Sequence, residues 1–181
     1  MFTDNTLTPK EAVRLCALGT IARQAMRYGE LAGSVRHFIS RMGGPQLELM
    51  GTSVELLRYE GLVEAVGGSG MEDDALLSIT AAGKRELKTL LTAPIRPGSD
   101  LSKLIIALKM RFLHLLEPAE RKALAELLAD GVESELVRLI DLRGVCAGEE
   151  GEASDLVAWL DHDIAALESR LAWLDAFGAR Q

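Results

Sequence analysis

Apolar residues recur along most of the chain at intervals of three and four positions, which places them on one face of a helix. Two short apolar runs on either side of a glycine-rich segment interrupt this pattern and are typical of a β-hairpin. The first half therefore predicts three helices, a hairpin and a fourth helix. The predicted helices cover about 8–22, 30–42, 46–59 and 81–93, and the predicted strands cover 62–66 and 75–79.

Capping residues and breakers mark the ends of these helices. The segment Thr8-Pro9-Lys10-Glu11 supplies an N-cap, a proline at the first helical position and the acid of a capping box. Gly43-Gly44-Pro45 separates the second helix from the third. Thr80 is placed to cap the helix after the hairpin, and Pro94 ends that helix.

The second half of the chain predicts three further helices. They cover 101–116, 119–142 and 154–177. A polar, acidic loop at 144–151 separates the last two. Because Pro94 and Pro97-Gly98 interrupt the helical pattern between the halves, we predict two domains, 1–94 and 95–181.

The last predicted helix carries an apolar seam whose members are four and three residues apart in turn. Helices of a coiled coil pack at this spacing. Two or three helices of this size cannot readily bury every apolar face within one small chain, so the seam predicts a homodimer formed by the second half. The seam residues are Leu160, Ile164, Leu167, Leu171 and Leu174.

Composition and charge narrow the class of protein. Hydrophobic residues make up 48% of the chain and aromatic residues only 4%, which favours a mainly helical fold. The net charge of −7 argues against a generic binder of polyanions, but most of the acidity lies in residues 95–181. Residues 1–94 carry 10 basic and 11 acidic side chains, so this half can bind DNA if its basic side chains share one face.

The sequence shows no pattern that indicates an enzyme or a metal centre. His162 stands between Asp161 and Asp163, but neighbouring residues of a helix point about 100° apart and do not converge on one metal ion. Gly67-Gly68-Ser69-Gly70 lies inside the hairpin, not between a strand and a helix as in a nucleotide-binding loop. We therefore expect no catalysis, metal or cofactor. With no apolar run of 18 residues, and Asp4 where a signal peptide would be basic, we expect a cytoplasmic protein with no membrane partner.

Three segments and the plan of the second half carry a resemblance to a known family. The segments are LTPKEAV at 7–13, LLRYEGLV at 56–63 and LSITAAGK at 77–84. In layout, essentially the whole chain resembles the PadR-like transcriptional regulators. The resemblance implies a mainly α fold, in which a winged helix-turn-helix of three helices, a two-stranded wing and a linking helix precedes a C-terminal helical dimerisation domain. It also implies a regulator, more often a repressor, that binds a pseudo-palindromic operator in double-stranded DNA as a homodimer.

Under this resemblance, the third helix reads DNA. We expect Gln46, Thr52 and Ser53 to hydrogen-bond to base edges. Phosphate contacts must then come from arginines in and around the second helix, and we expect Arg27, Arg36 and Arg41 to supply them.

Two features depart from the family. Gly51 stands where the family commonly has a tyrosine, and the wing tip carries Glu72, Asp73 and Asp74 with no Lys or Arg. Carboxylates beside a polyanion oppose binding. Two functions therefore remain open: a DNA-binding transcriptional regulator, whose small-molecule effector is left open, and a winged-helix protein-interaction module that has lost DNA binding.

Overall fold

The structure is a computed structural model that forms two compact units. It describes residues 7–41, 50–67, 75–95, 100–147 and 154–181, without the side chains of 50–53, 100 and 154. The first unit comprises Met1–Ile95 and Ser99–Leu116, and the second comprises Arg96–Gly98 and Glu117–Gln181.

The predicted order of helices and strands is confirmed in the first unit, with one strand added. Its elements are α1 Pro9–Ile21, β1 Met26–Arg27, α2 Tyr28–Arg41, α3 Met50–Tyr59, β2 Val63–Ala65, β3 Leu76–Ile79, α4 Ala81–Thr92 and α5 Asp100–Phe112, followed by a 3-10 turn at Leu113–Leu115. The second unit contains α6 Pro118–Ala147 and α7 Ser154–Gly178. This is the order of a winged helix-turn-helix followed by a helical tail.

Helix α1 forms the core of the first unit. It begins with the predicted capping box: the Glu11 N–H donates to Thr8 Oγ1 at 3.3 Å, and the Thr8 N–H donates to Glu11 Oε2 at 2.7 Å. Leu15, Cys16 and Leu18 are completely buried, and the helix packs against α2, α3, α4, α5 and β3. Burial raises the pKa of the Cys16 thiol to about 11.

The wing is part of a three-stranded antiparallel sheet in the order β1-β3-β2. The two predicted strands pair with each other, with Val63 opposite Ile79. The third strand has only two residues, Met26 and Arg27, and pairs with the other edge of β3. A two-residue strand is too short to show an alternating pattern, so the sequence did not indicate it.

Helix α5 belongs to the first unit, so the compact units differ from the predicted division after residue 94. Gly19 of α1 makes the close approach of the two helices possible. A Cβ atom at this position would stand 2.5 Å from the ring of Phe112 on α5. The glycine therefore provides the space into which the aromatic ring packs.

Lys109 of α5 also ties this helix to α4. Its side chain is completely buried, and Nζ donates to the carbonyl oxygens of Leu91 and Ala93 at 2.6 and 2.5 Å and to that of Leu90 at 3.4 Å. The last carbonyls of a helix lack partners within it, so the lysine caps the end of α4. Burial lowers the pKa of Lys109 to about 8.

The second unit is an antiparallel pair of helices. Arg143 near the end of α6 pairs with Asp161 near the start of α7, at 2.7 Å between Nε and Oδ1. At the other end, Gly178 of α7 lies beside Ala125 of α6. Helix α6 runs five residues beyond the predicted end at 142, and Cys146, which the sequence placed in a surface loop, is buried in this helix.

No helix in the described ranges is both long enough and apolar enough to cross a membrane.

The contact between α1 and α5 predicts opposite effects for two glycine substitutions. Gly19→Ala should lower the free energy of unfolding by about 1–3 kcal/mol, because the methyl group would overlap the Phe112 ring. Gly33→Ala on α2 is the matched control, since a methyl group there meets open space and alanine favours a helix by up to about 1 kcal/mol. Urea unfolding followed by circular dichroism measures both. A neutral Gly19→Ala would contradict the packing described.

The buried lysine predicts a pH dependence of stability. The folded chain releases the Lys109 proton at about pH 8, whereas an unfolded lysine does so at about 10.5. Between these values the unfolded state holds more protons, so the folded state gains stability as the pH rises. The wild type should gain about 1–3 kcal/mol relative to Lys109→Met between pH 7.5 and 10. Urea unfolding of both proteins across this pH range measures the effect. A constant difference between their free energies of unfolding would contradict it.

Candidate nucleic-acid interface

The outer face of α3 is the exposed surface of the helix-turn-helix. Val54 and Leu57 are buried and hold the helix on the core, where it packs against α1, α2 and β2. Glu55, Leu56 and Tyr59 point away from that core, and Tyr59 is 91% exposed. Over residues 54–59, the helix therefore exposes one acid, one aliphatic and one aromatic side chain.

An arginine of α1 fixes the C-terminal end of this helix. Arg14 Nη2 donates to both carboxylate oxygens of Glu60, at 2.8 and 2.7 Å, and Nη1 donates to Glu86 of α4 at 3.1 Å. The three side chains are partly exposed, so each ion pair contributes at most about 1 kcal/mol to stability. The forked geometry mainly sets position: it holds the end of α3 against α1 and α4.

The base of the wing is anchored to the start of α4. Thr80 Oγ1 donates to the carbonyl oxygens of Gly61 at 2.7 Å and Leu62 at 3.1 Å, and it accepts a hydrogen bond from the Gly83 N–H at 3.0 Å. A side chain at position 83 would clash with the Leu62 carbonyl, so this position requires glycine. The wing therefore leaves the core at a fixed point beside the end of α3.

The structure separates the three arginines predicted to hold phosphates. Arg36 and Arg41 are exposed on α2, but they are five residues apart, which turns them about 140° around the helix axis. Arg27 is exposed in β1, at the edge of the wing sheet, and does not lie in a helix. These cations flank α2 on different sides and do not form one compact patch.

All three predicted base-reading residues lie partly or wholly outside the described part of the chain. Gln46 is outside the described residues, as are Glu72, Asp73 and Asp74 of the wing tip. Thr52 and Ser53 belong to α3, but their side chains lie outside the described part of the chain. Their roles in DNA contact stay predictions.

Two other basic side chains of the first unit make contacts that the sequence did not indicate. Arg111 of α5 stacks its guanidinium over the ring of Phe38 at 4.4 Å and over that of Phe112 at 5.2 Å, while its buried Nη1 has no hydrogen-bond partner. Arg23 Nε donates to His114 Nε2 at 3.1 Å. These contacts join helices far apart in sequence, so no local motif could reveal them.

The predicted seam of α7 faces α6 of the same chain. Leu160, Leu167 and Leu174 are buried, and Ile164 and Leu171 are half-buried. The seam thus contributes to the contact between α6 and α7 within the second unit. A role for it between two chains stays a prediction.

A flank of α7, about 100–140° around the helix from the centre of the seam, carries both tryptophans of the chain. Trp159 and Trp173 are 55% and 51% exposed, and the Trp173 ring stacks on Phe177 with centroids 5.1 Å apart. Fourteen residues separate the two, which places them within about 40° of each other around the helix. Both rings therefore lie toward one side of the helix, about 21 Å apart along its axis.

These features define a winged helix-turn-helix protein with a helical tail. Comparison with protein families then gives a match to the model described as "Putative AphA-like transcriptional regulator" over residues 2–178. The chain belongs to this AphA-like family of transcriptional regulators. The match agrees with the predicted class of regulator, although the family shown is the AphA-like one and the sequence resemblance was to PadR-like proteins.

Three solved structures of Bacillus subtilis PadR are similar at low identity. The complex with operator DNA is 15% identical, with a TM-score of 0.39 and coverage of 93% of this chain and 97% of that one. The complex with p-coumaric acid is 14% identical, with a TM-score of 0.40 and coverage of 97% and 98%. A further crystal structure of PadR is 14% identical, with a TM-score of 0.40 and coverage of 97% of each chain. TM-scores below 0.5 support no conclusion about this chain.

No curated protein gives a significant match to the sequence.

Proposed function

We propose that this protein is a dimeric transcriptional regulator that binds double-stranded DNA with α3 in the major groove. The observation that carries the proposal is the exposed outer face of α3, in a chain that belongs to a family of transcriptional regulators. A helix of this kind fits the width of the major groove. Gln46, Thr52 and Ser53 are the polar side chains that we assign to base contacts.

The phosphate contacts are assigned to exposed arginines of the first unit. Arg36 and Arg41 on two flanks of α2 can each reach a different phosphate, and Arg27 at the wing edge can reach a third. The wing tip, with Glu72, Asp73 and Asp74, is kept away from the phosphates because like charges repel.

Dimerisation is assigned to the flank of α7 that exposes Trp159 and Trp173. The seam already packs in the α6–α7 pair, so the exposed tryptophans are apolar surface that remains for a second copy. Two identical reading heads suit a pseudo-palindromic operator. Repression follows most directly, since a dimer occupying an operator blocks access to it.

The acidic wing tip favours a rival function. A winged-helix module that binds a protein and not DNA would keep the fold and would have no need of cations at the wing. Measurements of duplex affinity at several salt concentrations separate the two functions.

Loss of either α2 arginine should weaken binding to every duplex. Arg36→Ala and Arg41→Ala, made singly, should each reduce the slope of log affinity against log salt concentration by about 1, because each removes one phosphate contact. Fluorescence anisotropy with a labelled duplex at several salt concentrations gives the slope.

Arg138→Ala removes an exposed arginine of α6. It is the control of equal charge and should leave the slope unchanged.

Replacing Glu72, Asp73 and Asp74 together by serine should tighten binding to arbitrary duplexes and leave sequence preference unchanged. If no duplex binds and neither set of changes alters this, the regulator proposal fails and the interaction module replaces it.

The tryptophan face predicts the oligomeric state. The wild type should elute with twice the 19.6-kDa chain mass, and Trp159→Ser with Trp173→Ser should return it to one chain mass at micromolar concentration. The double change to phenylalanine keeps the apolar area and should remain a dimer. Light scattering coupled to size exclusion measures the mass, and a wild type of 19.6 kDa would contradict the assignment.

A further inference from the structure

The described part of α3 offers little of the chemistry that most often reads bases. Guanine is recognised chiefly by Arg or Lys, which donate to its O6 and N7 atoms. The one cation among residues 54–59, Arg58, is half-buried and interacts within the protein. Glu55 is exposed, but a carboxylate cannot donate a hydrogen bond to these acceptors.

An aliphatic side chain occupies the middle of the exposed face. Leu56 is 47% exposed, whereas its neighbours Val54 and Leu57 are buried. Two positions along a helix correspond to a turn of about 200°, so Leu56 and Val54 point in nearly opposite directions. The exposed half of Leu56, between Glu55 and Tyr59, is available to a partner.

One base carries a matching apolar group in the major groove. The C5 methyl of thymine distinguishes it from the other bases there, and apolar side chains recognise it by contact. Covering both the methyl group and the leucine removes apolar surface from water.

We propose that Leu56 is a specificity-determining residue that selects thymine through its C5 methyl group. The inference rests on the proposed function, because it requires α3 to lie in the major groove. It adds a criterion that hydrogen-bonding residues of α3 cannot supply: the chain distinguishes thymine from uracil at the contacted positions.

The test uses the full-length protein and a duplex recovered from a random pool. Each thymine in the duplex is replaced in turn by uracil, which removes one methyl group and leaves every hydrogen-bonding atom in place. At one or two positions the wild type should bind about three- to fivefold more weakly, the loss expected for one buried methyl group. Fluorescence anisotropy at fixed salt concentration gives the dissociation constants.

Two variants assign the effect to the residue. Leu56→Ala should bind thymine and uracil duplexes equally at those positions, because the remaining Cβ methyl is too short to cover the thymine methyl group. Leu76→Ala makes the same change at a leucine of β3 that is 40% exposed, and it should keep the wild-type sensitivity to uracil. Thermal unfolding of both variants checks that each is folded.

The outcomes separate this inference from the function on which it rests. If no duplex is recovered and none binds, the proposed function fails. If a duplex binds and every uracil replacement leaves wild-type affinity unchanged, thymine methyl recognition is overturned. If sensitivity to uracil persists in Leu56→Ala, another residue reads the methyl group and the assignment to Leu56 is overturned.

Discussion

The burial of α1 on almost all sides is the constraint on which the first unit depends. The helix packs against four other helices and a strand, so its position determines where each of them can lie. Gly19 lets α5 approach closely enough for Phe112 to pack against it, and Arg14 at the helix edge holds α3 and α4 through Glu60 and Glu86. Helix α3 is thus positioned from one side by apolar packing and at its end by ion pairs, which leaves its outer face exposed.

In the second unit, by contrast, α6 and α7 pack mainly against each other, and neither is covered on all sides. Two helices packed side by side can each bury one face, and the apolar residues of the other faces remain exposed. On α6 these are Val137, Ile140, Leu142 and Val145, and on α7 they include Trp159 and Trp173. A pair of helices with this much apolar surface is best stabilised by association, which is the physical basis of the proposed dimer.

Local signals predicted the elements, and contacts between distant segments decided what the sequence could not show. Capping at Thr8 and Thr80 and the breaks at glycine and proline placed most helices correctly. The seam of α7 was recognised as an apolar face, but spacing alone cannot say whether its partner helix belongs to the same chain or to another. The burial of Lys109 depends on carbonyl groups 16 to 19 residues earlier, and a lysine in an amphipathic pattern gives no sign of this. The same holds for the candidate site. The order of elements in the sequence predicts α3, whereas the exposure of Leu56 and the anchoring by Arg14 are visible only in the packed structure.

In the function that we propose, α1 and its neighbours hold α3 as a DNA-reading helix in a symmetric dimer. Selection of bound fragments from a pool of random duplex DNA, with sequencing of successive rounds, tests this most directly. We expect enrichment of a pseudo-palindromic sequence whose two half-sites are spaced by about one helical turn, or about 10–10.5 base pairs. A pool that remains random after several rounds, or one that yields a site without two-fold symmetry, would contradict it.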